Sequence, residues 1–194
     1  MLRKKVAMAF GVLALTTNLS YSENLDLKRH LAVYPDFPKE GVDFVDICSM
    51  LTNPELFHAT INDFSKKFQN SGIDAIVAIE SRGFIFASAM AYKLGLPLIL
   101  ARKPGKLPGT VGQTCYQKEY GKDCMEIQKH ALASYHHILV VDDIYATGGT
   151  MQAVVQLLED YGIKKIDLAV LGTVRNIPNA KKPAYPLYSL VDFD

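Results

Sequence analysis

The densest chemistry in the chain lies in Asp142-Asp143-Ile144-Tyr145-Ala146-Thr147-Gly148-Gly149-Thr150, directly behind an apolar run from His137 to Val141. The small residues at the end of this string form a turn that opens a predicted helix, and such a turn exposes successive backbone N–H groups. Gly148 and Gly149 let the main chain approach an anion closely. Thr147 and Thr150 add hydroxyl donors, and the helix dipole favours negative charge at the same place. A phosphate monoester fits. Asp142 and Asp143 would repel that anion on contact, but a short distance away they suit ribose hydroxyls or a magnesium ion. A phosphate beside a polyol is a sugar phosphate. Capping of the loop would explain either acid alone, but not the whole string. The spacing is neither Gly-x-x-x-x-Gly-Lys nor Gly-x-Gly-x-x-Gly, which sets aside a nucleoside triphosphate cradle and a dinucleotide site.

Two further segments concentrate charge. Arg102-Lys103-Pro104-Gly105-Lys106-Leu107-Pro108-Gly109 places three cations in a loop broken by two prolines and two glycines. A strongly anionic substrate would explain that concentration, and a solvated surface loop is the plain alternative. Glu80-Ser81-Arg82-Gly83 offers a guanidinium able to grip a phosphate through two charge-assisted hydrogen bonds; otherwise Arg82 simply starts a surface helix.

These segments need a scaffold, and the hydrophobic pattern supplies one. Asn53 to Gln69 reads as a helix, with Asn-Pro at its start and Leu56, Ile61, Phe64 and Phe68 near helical spacing. Ile73 to Ile79 reads as a strand buried on both faces, Phe84 to Leu94 as a helix, and Pro97 to Ala101 as a strand. The unit recurs with a strand over His137 to Val141, a helix over Gly149 to Tyr161 and a strand over Ile166 to Leu171. Such βαβ alternation predicts a parallel sheet flanked by helices, and ligands bind outside the carboxyl ends of its strands. All three polar segments follow a predicted strand. Gly109 to Lys129 has a weak strand pattern and reads as a mobile segment. Tyr188 to Asp192 alternates and predicts an edge strand.

The string from Val140 to Thr150 resembles the phosphoribosyl-diphosphate signature of the type I phosphoribosyltransferases, whose acidic pair holds the ribose and whose small-residue loop holds the 5-phosphate. Tyr34-Pro35-Asp36-Phe37-Pro38-Lys39-Glu40-Gly41-Val42-Asp43-Phe44, Glu80-Ser81-Arg82-Gly83-Phe84 and Glu119-Tyr120-Gly121-Lys122 resemble the adenine-specific branch of that family. The resemblance implies an α/β fold with a central, mostly parallel sheet flanked by helices, a small hood and a flexible catalytic loop. The implied reaction joins adenine to the ribose 5-phosphate of phosphoribosyl diphosphate, with Mg2+ bound alongside that substrate, in a homodimer.

The implied roles fall on matching positions. Asp142, Asp143, Ala146, Thr147, Gly148, Gly149 and Thr150 hold the ribose 5-phosphate. Glu80, Ser81, Arg82, Lys103 and Lys106 serve the diphosphate, with an unusual backbone such as a cis bond between Glu80 and Ser81. Glu119 contacts the purine, at N7, as general acid/base and assists loss of the N9 proton, while Tyr120 closes over the site. A lid is needed because the ribose gains oxocarbenium character and must be shielded from water. In the hood, Phe44 packs near the purine and the main chain around Asp43 and Val45 reads its amino edge. The chain departs from the family pattern at Pro104, where many members carry a basic residue, at Val45, where arginine is frequent, and at Cys48, which replaces a common threonine.

Bulk properties narrow the alternatives. The 194 residues are 49% hydrophobic and carry 21 basic against 20 acidic residues, which suits one compact domain and argues against a nucleic-acid partner. Residues 1–22 have a basic start, an uncharged run from Val6 to Leu15 and small residues at Ser20 and Ser22, the shape of a signal peptide. A disordered extension is the alternative, leaving residues 23–194 as the phosphoribosyltransferase domain. The apolar run is about half of the roughly 20 residues a membrane span needs, so no stable membrane anchor is expected. The family's substrate is made inside cells, which favours the cytoplasm, with export as the alternative. The three cysteines have no metal-ligand spacing, and their odd number cannot close a disulfide framework, so reduced thiols are expected. No histidine spacing suggests a metal site. The rival functions are a transferase for hypoxanthine, guanine, xanthine or orotate, a phosphoribosyl-diphosphate-sensing regulator, and a secreted binding protein.

Overall fold

The computed structural model describes residues 27–118 and 121–193. The proposed leader at residues 1–22 therefore lies outside the described residues. Strands β1 (Ala32–Tyr34) and β2 (Phe44–Asp46) pair antiparallel as a small hood, and a short helix α1 (Cys48–Leu51) follows. Asn53 caps α2 (Pro54–Phe68), its side-chain oxygen accepting the N–H groups of Glu55 and Leu56 at 3.0 and 3.3 Å. Pro54 sits in the first turn, where its missing N–H costs nothing.

A five-stranded sheet follows from β3 (Ala75–Ile79), β4 (Leu98–Ala101), β7 (His137–Tyr145), β8 (Lys165–Val174) and β9 (Leu187–Phe193). Its order is β4-β3-β7-β8-β9, and every neighbouring pair is parallel. The alternating strand faces explain the layers. Ile76 and Ala78 of β3 join Leu139 and Val141 of β7 in one apolar cluster with α2 and α3 (Gly83–Leu94). Ala75, Val77 and Ile79 face the other way and join Ile138 and Val140 in a second cluster under α4 (Gly149–Asp160). The expected edge strand at the carboxyl end is β9. Among the described residues, no helix is long and apolar enough to cross a membrane.

Two elements differ from the sequence expectation. Strand β7 runs four residues past Val141 because β8 offers partners to its end, pairing Asp142 with Val170, Ile144 with Gly172 and Tyr145 with Thr173. The acidic pair therefore belongs to the strand itself. The segment with a weak strand pattern is a hairpin of β5 (Val111–Lys118) and β6 (Gly121–Gln128), in register from Val111↔Gln128 to Lys118↔Gly121. Only one of its faces is apolar, and Tyr116, Met125 and Ile127 bury that face in the α4 layer.

The hairpin also corrects the expectation of reduced cysteines. Cys115 and Cys124 stand directly opposite each other, with Cα atoms 4.0 Å apart, and are joined by a disulfide. An odd cysteine count argues against a closed framework, but it does not prevent one pair from meeting across a ladder, where opposed side chains come close. Cys48 is a free, exposed thiol.

Candidate active site

The strongest geometry lies where β7 ends and α4 begins. Asp142, Ile144 and residues 145–151 line a cavity of about 90 Å³, with the first turn of α4 forming one wall. Gly148 has φ 77°, and a Cβ there would lie 2.7 Å from Cζ of Tyr145. Both its left-handed backbone and its crowding require glycine. A Cβ on Gly149 would lie 2.8 Å from Cδ2 of Tyr116. The turn is held from outside, since the Tyr145 hydroxyl donates to the Lys181 carbonyl at 2.8 Å and the Lys181 N–H donates to the Thr147 carbonyl at 3.0 Å. Ala146, Thr147, Gly148, Gly149 and Thr150 thus form one contiguous, backbone-lined recess beside Asp142. Its amide groups at a helix N-terminus favour an anion.

The two acids stand in different environments. Asp142 Oδ1 accepts the Asp143 N–H at 2.9 Å, and burial followed by the neighbouring Asp143 charge raises the Asp142 pKa well above the usual carboxylate range. Asp143 is buried and meets Arg82 Nε through Oδ2 at 2.6 Å. Arg82 also donates from Nη1 to the Val45 carbonyl at 3.1 Å, and its guanidinium carbon lies 4.9 Å from the centre of the Phe44 ring. It therefore links the hood to the acidic pair. The sequence placed Arg82 only with the diphosphate; the structure adds this double engagement. Val45 is buried and Phe44 half-buried, whereas Asp43 is exposed.

The cationic loop faces acids in the same manner. The Glu80–Ser81 peptide bond is cis. Glu80 pairs with Lys106 and with Arg102, whose Nε lies 3.3 Å from Oε2, and it accepts the Lys103 N–H at 2.9 Å. Burial works against the Glu80 charge, but these donors outweigh it and hold its pKa at about 2. Lys103 pairs with Asp123 of β6. Arg82, Arg102, Lys103 and Lys106 are thus each matched to a carboxylate, and an incoming diphosphate would exchange places with those acids. Ser81 is exposed beside them.

The hairpin reaches the same centre. Tyr116 exchanges a hydrogen bond with Thr150 Oγ1 at 2.7 Å and donates to Asp123 Oδ2 at 3.0 Å. Sequence reasoning missed Tyr116 and Asp123, and it counted Arg102 among the loop cations without foreseeing its pairing with Glu80. The available signal was the alternation that turns Tyr116, Met125 and Ile127 to one face. Glu119 and Tyr120 lie outside the described residues, between the paired Lys118 and Gly121. His137 is structural, with Nε2 2.7 Å from Asp167 Oδ2 and Nδ1 3.0 Å from the Gly72 carbonyl; His30, His58, His130 and His136 are exposed. No group of three or more His, Cys, Asp or Glu among the described residues could hold a metal ion.

This arrangement matches known proteins along most of the chain. A family model described as the phosphoribosyl transferase domain matches residues 49–191. Adenine phosphoribosyltransferase of Rippkaea orientalis is 41% identical over 87% of this chain and all of its own length. The crystal structure of adenine phosphoribosyltransferase from Thermoanaerobacter pseudethanolicus superposes with a TM-score of 0.80 at 37% identity, covering 86% of this chain and 97% of the other. The Saccharomyces cerevisiae enzyme, complexed with an imino-altritol 1,6-bisphosphate and adenine, gives 0.76 at 36% identity over 84% and 96%. The amide-lined turn, its adjacent acids and these relationships lead to one conclusion: the chain belongs to the phosphoribosyltransferase family, in its adenine phosphoribosyltransferase branch.

Proposed function

We propose that this protein makes AMP in purine salvage, transferring the ribose 5-phosphate of phosphoribosyl diphosphate to N9 of adenine and releasing diphosphate. The observation that carries the reading is the recess at the start of α4, where a turn fit for a phosphate adjoins two acids fit for ribose. In this reading, backbone amides of residues 146–150 bind the 5-phosphate, and Asp142 and Asp143 face the ribose hydroxyls. Arg82, Lys103 and Lys106 turn from their carboxylate partners to the diphosphate, while the backbone at Glu80–Ser81 lines that end. Leaving of diphosphate builds positive charge on the ribose, and nearby carboxylates stabilise that charge.

Phe44 and the main chain at Asp43 and Val45 form the adenine pocket. Glu119 carries the proton relay at the purine, and Tyr120 covers it. Among the described residues no group offers a metal cage by itself, but Mg2+ commonly uses one or two carboxylates together with substrate phosphates, and Asp142 and Asp143 fit that role. When bound, the ion would screen the charge of the departing diphosphate.

Dimerisation is assigned to Tyr92 on α3 and to Leu98 and Leu100 on β4, which expose 93%, 38% and 36% of their surface. The reaction is placed in the cytoplasm, where its sugar donor is made. Residues 23–194 are taken as one transferase domain. Incubation of the full chain with adenine, phosphoribosyl diphosphate and magnesium should yield AMP and diphosphate in equal amounts. Diphosphate without AMP would indicate hydrolysis and sink the reading.

A further inference from the structure

We propose that Cys115 and Cys124 form a thiol–disulfide switch on the hairpin, with the oxidised pair favouring catalysis; the inference rests on the proposed transfer reaction. The location carries the argument. The disulfide closes the hairpin around residues 116–123, and that enclosed stretch contains both tethers to the centre. Tyr116 reaches Thr150 at the phosphate turn, and Asp123 reaches Lys103 in the cationic loop. The same enclosed stretch carries Glu119. Oxidation state at one covalent bond therefore acts on Tyr116 beside the phosphate turn and, through Asp123, on Lys103 of the cationic loop.

A two-stranded ladder is marginal alone, and β5 and β6 pair as strands only with each other along the hairpin. Near its base, β5 is held by packing, since a Cβ on Gly112 would lie 2.8 Å from Cζ of Tyr161. β6 is held there by mutual hydrogen bonds between Arg102 and Glu126 at 2.9 and 2.7 Å. Beyond that anchorage, the crosslink fixes the register of Tyr116 against Asp123. Fixing it before substrate arrives removes part of the ordering cost of closure.

Both sulfurs lie on half-buried residues, open to attack by a thiolate. One thiolate of a dithiol forms a mixed disulfide with Cys115 or Cys124 and expels the other as a thiolate, which takes up a proton. The second thiol of the dithiol then resolves the mixed bond. The pair gains two electrons and two protons, and the dithiol becomes a disulfide. Cys48 is a poor competitor for this exchange, because the Asp46 carboxylate pushes its thiol pKa upward. In a reducing compartment, such an accessible pair acts as a reversible switch rather than a permanent brace.

The test compares the full-length protein after oxidation, after dithiothreitol and after reoxidation, with mass spectrometry reporting one, three and one alkylatable thiols. Reduction should lower kcat/KM for phosphoribosyl diphosphate about tenfold, the loss expected when a few more side chains must be ordered during binding, and reoxidation should restore it. The double variant Cys115→Ser, Cys124→Ser should match the reduced protein with or without dithiothreitol. Equal kcat/KM in the oxidised and reduced wild-type protein overturns the switch while leaving the transfer reaction standing. Absence of AMP in every state overturns the transfer reaction instead. Amide exchange then decides the switch, because reduction must speed exchange within residues 111–128, and unchanged exchange contradicts it.

Discussion

At the start of α4, the groups facing an anion are backbone amides, locked by the left-handed Gly148, the Tyr145 ring and the bonds at Lys181. The β5–β6 hairpin reaches this turn through the side chain of Tyr116, on Thr150, and the cationic loop through that of Asp123, on Lys103. One region can bind only by being rigid, because its donors belong to the main chain. The other adds polar side-chain contacts to the apolar face that it buries against α4. In the proposed reaction, substrate recognition would fall to the part fixed by backbone geometry, and protection of the reacting carbon to the part tethered by polar side chains.

Substitutions can separate the two regions. Glu119→Gln should lower kcat about a hundredfold or more, the scale of general acid/base assistance, with little change in phosphoribosyl-diphosphate affinity. Undiminished turnover in steady-state kinetics would remove Glu119 from the chemistry. Gly148→Ala should instead weaken phosphoribosyl-diphosphate binding roughly thirtyfold, because a strained left-handed alanine costs about 2 kcal/mol even before its contact with Tyr145. Calorimetry that finds wild-type affinity would show that the turn is not the phosphate site.

The smaller effects sharpen the division. Asp142→Asn with Asp143→Asn should reduce phosphoribosyl-diphosphate affinity about tenfold through lost charge-assisted bonds to ribose, and unchanged binding would end the ribose assignment. Tyr116→Phe removes the hydroxyl that bonds Thr150 and Asp123, a net loss of roughly 1 kcal/mol, so kcat/KM should fall about fivefold while the melting temperature moves little. An unchanged ratio would mean that the hairpin docks without its hydroxyl.

Glu80 supplies the expected pH effect. Its folded pKa of about 2 lies below the ordinary 4.5, so its stabilising contribution is present above pH 4.5 and fades as the pH falls toward 2. Glu80→Gln should flatten part of that acid loss in thermal unfolding curves. An identical slope in both proteins would contradict the pairing with Arg102 and Lys106.

The turn that opens α4 was legible because all its determinants are contiguous between Asp142 and Thr150, and local chemistry decides the conformation. Asn53-Pro54 announced α2 for the same reason, the cap and the first turn being neighbours in sequence. The length of β7 was not legible, since Asp142 and Asp143 suit a loop until β8 provides partners such as Val170 and Gly172. The Cys115–Cys124 bond depends on hairpin register, which one residue of slip would destroy. Arg82 meeting the Val45 carbonyl joins segments 37 residues apart, and no local pattern announces such a contact.

The most direct test of the central claim supplies adenine, hypoxanthine, guanine, xanthine and orotate separately to the full-length protein with phosphoribosyl diphosphate and magnesium, and measures nucleotide formed. Selective formation of AMP is the predicted result. Efficient formation of another nucleotide in preference to AMP would contradict the adenine pocket at Phe44 and Val45 while preserving the sugar-phosphate site, and no nucleotide from any base would contradict the transferase account itself.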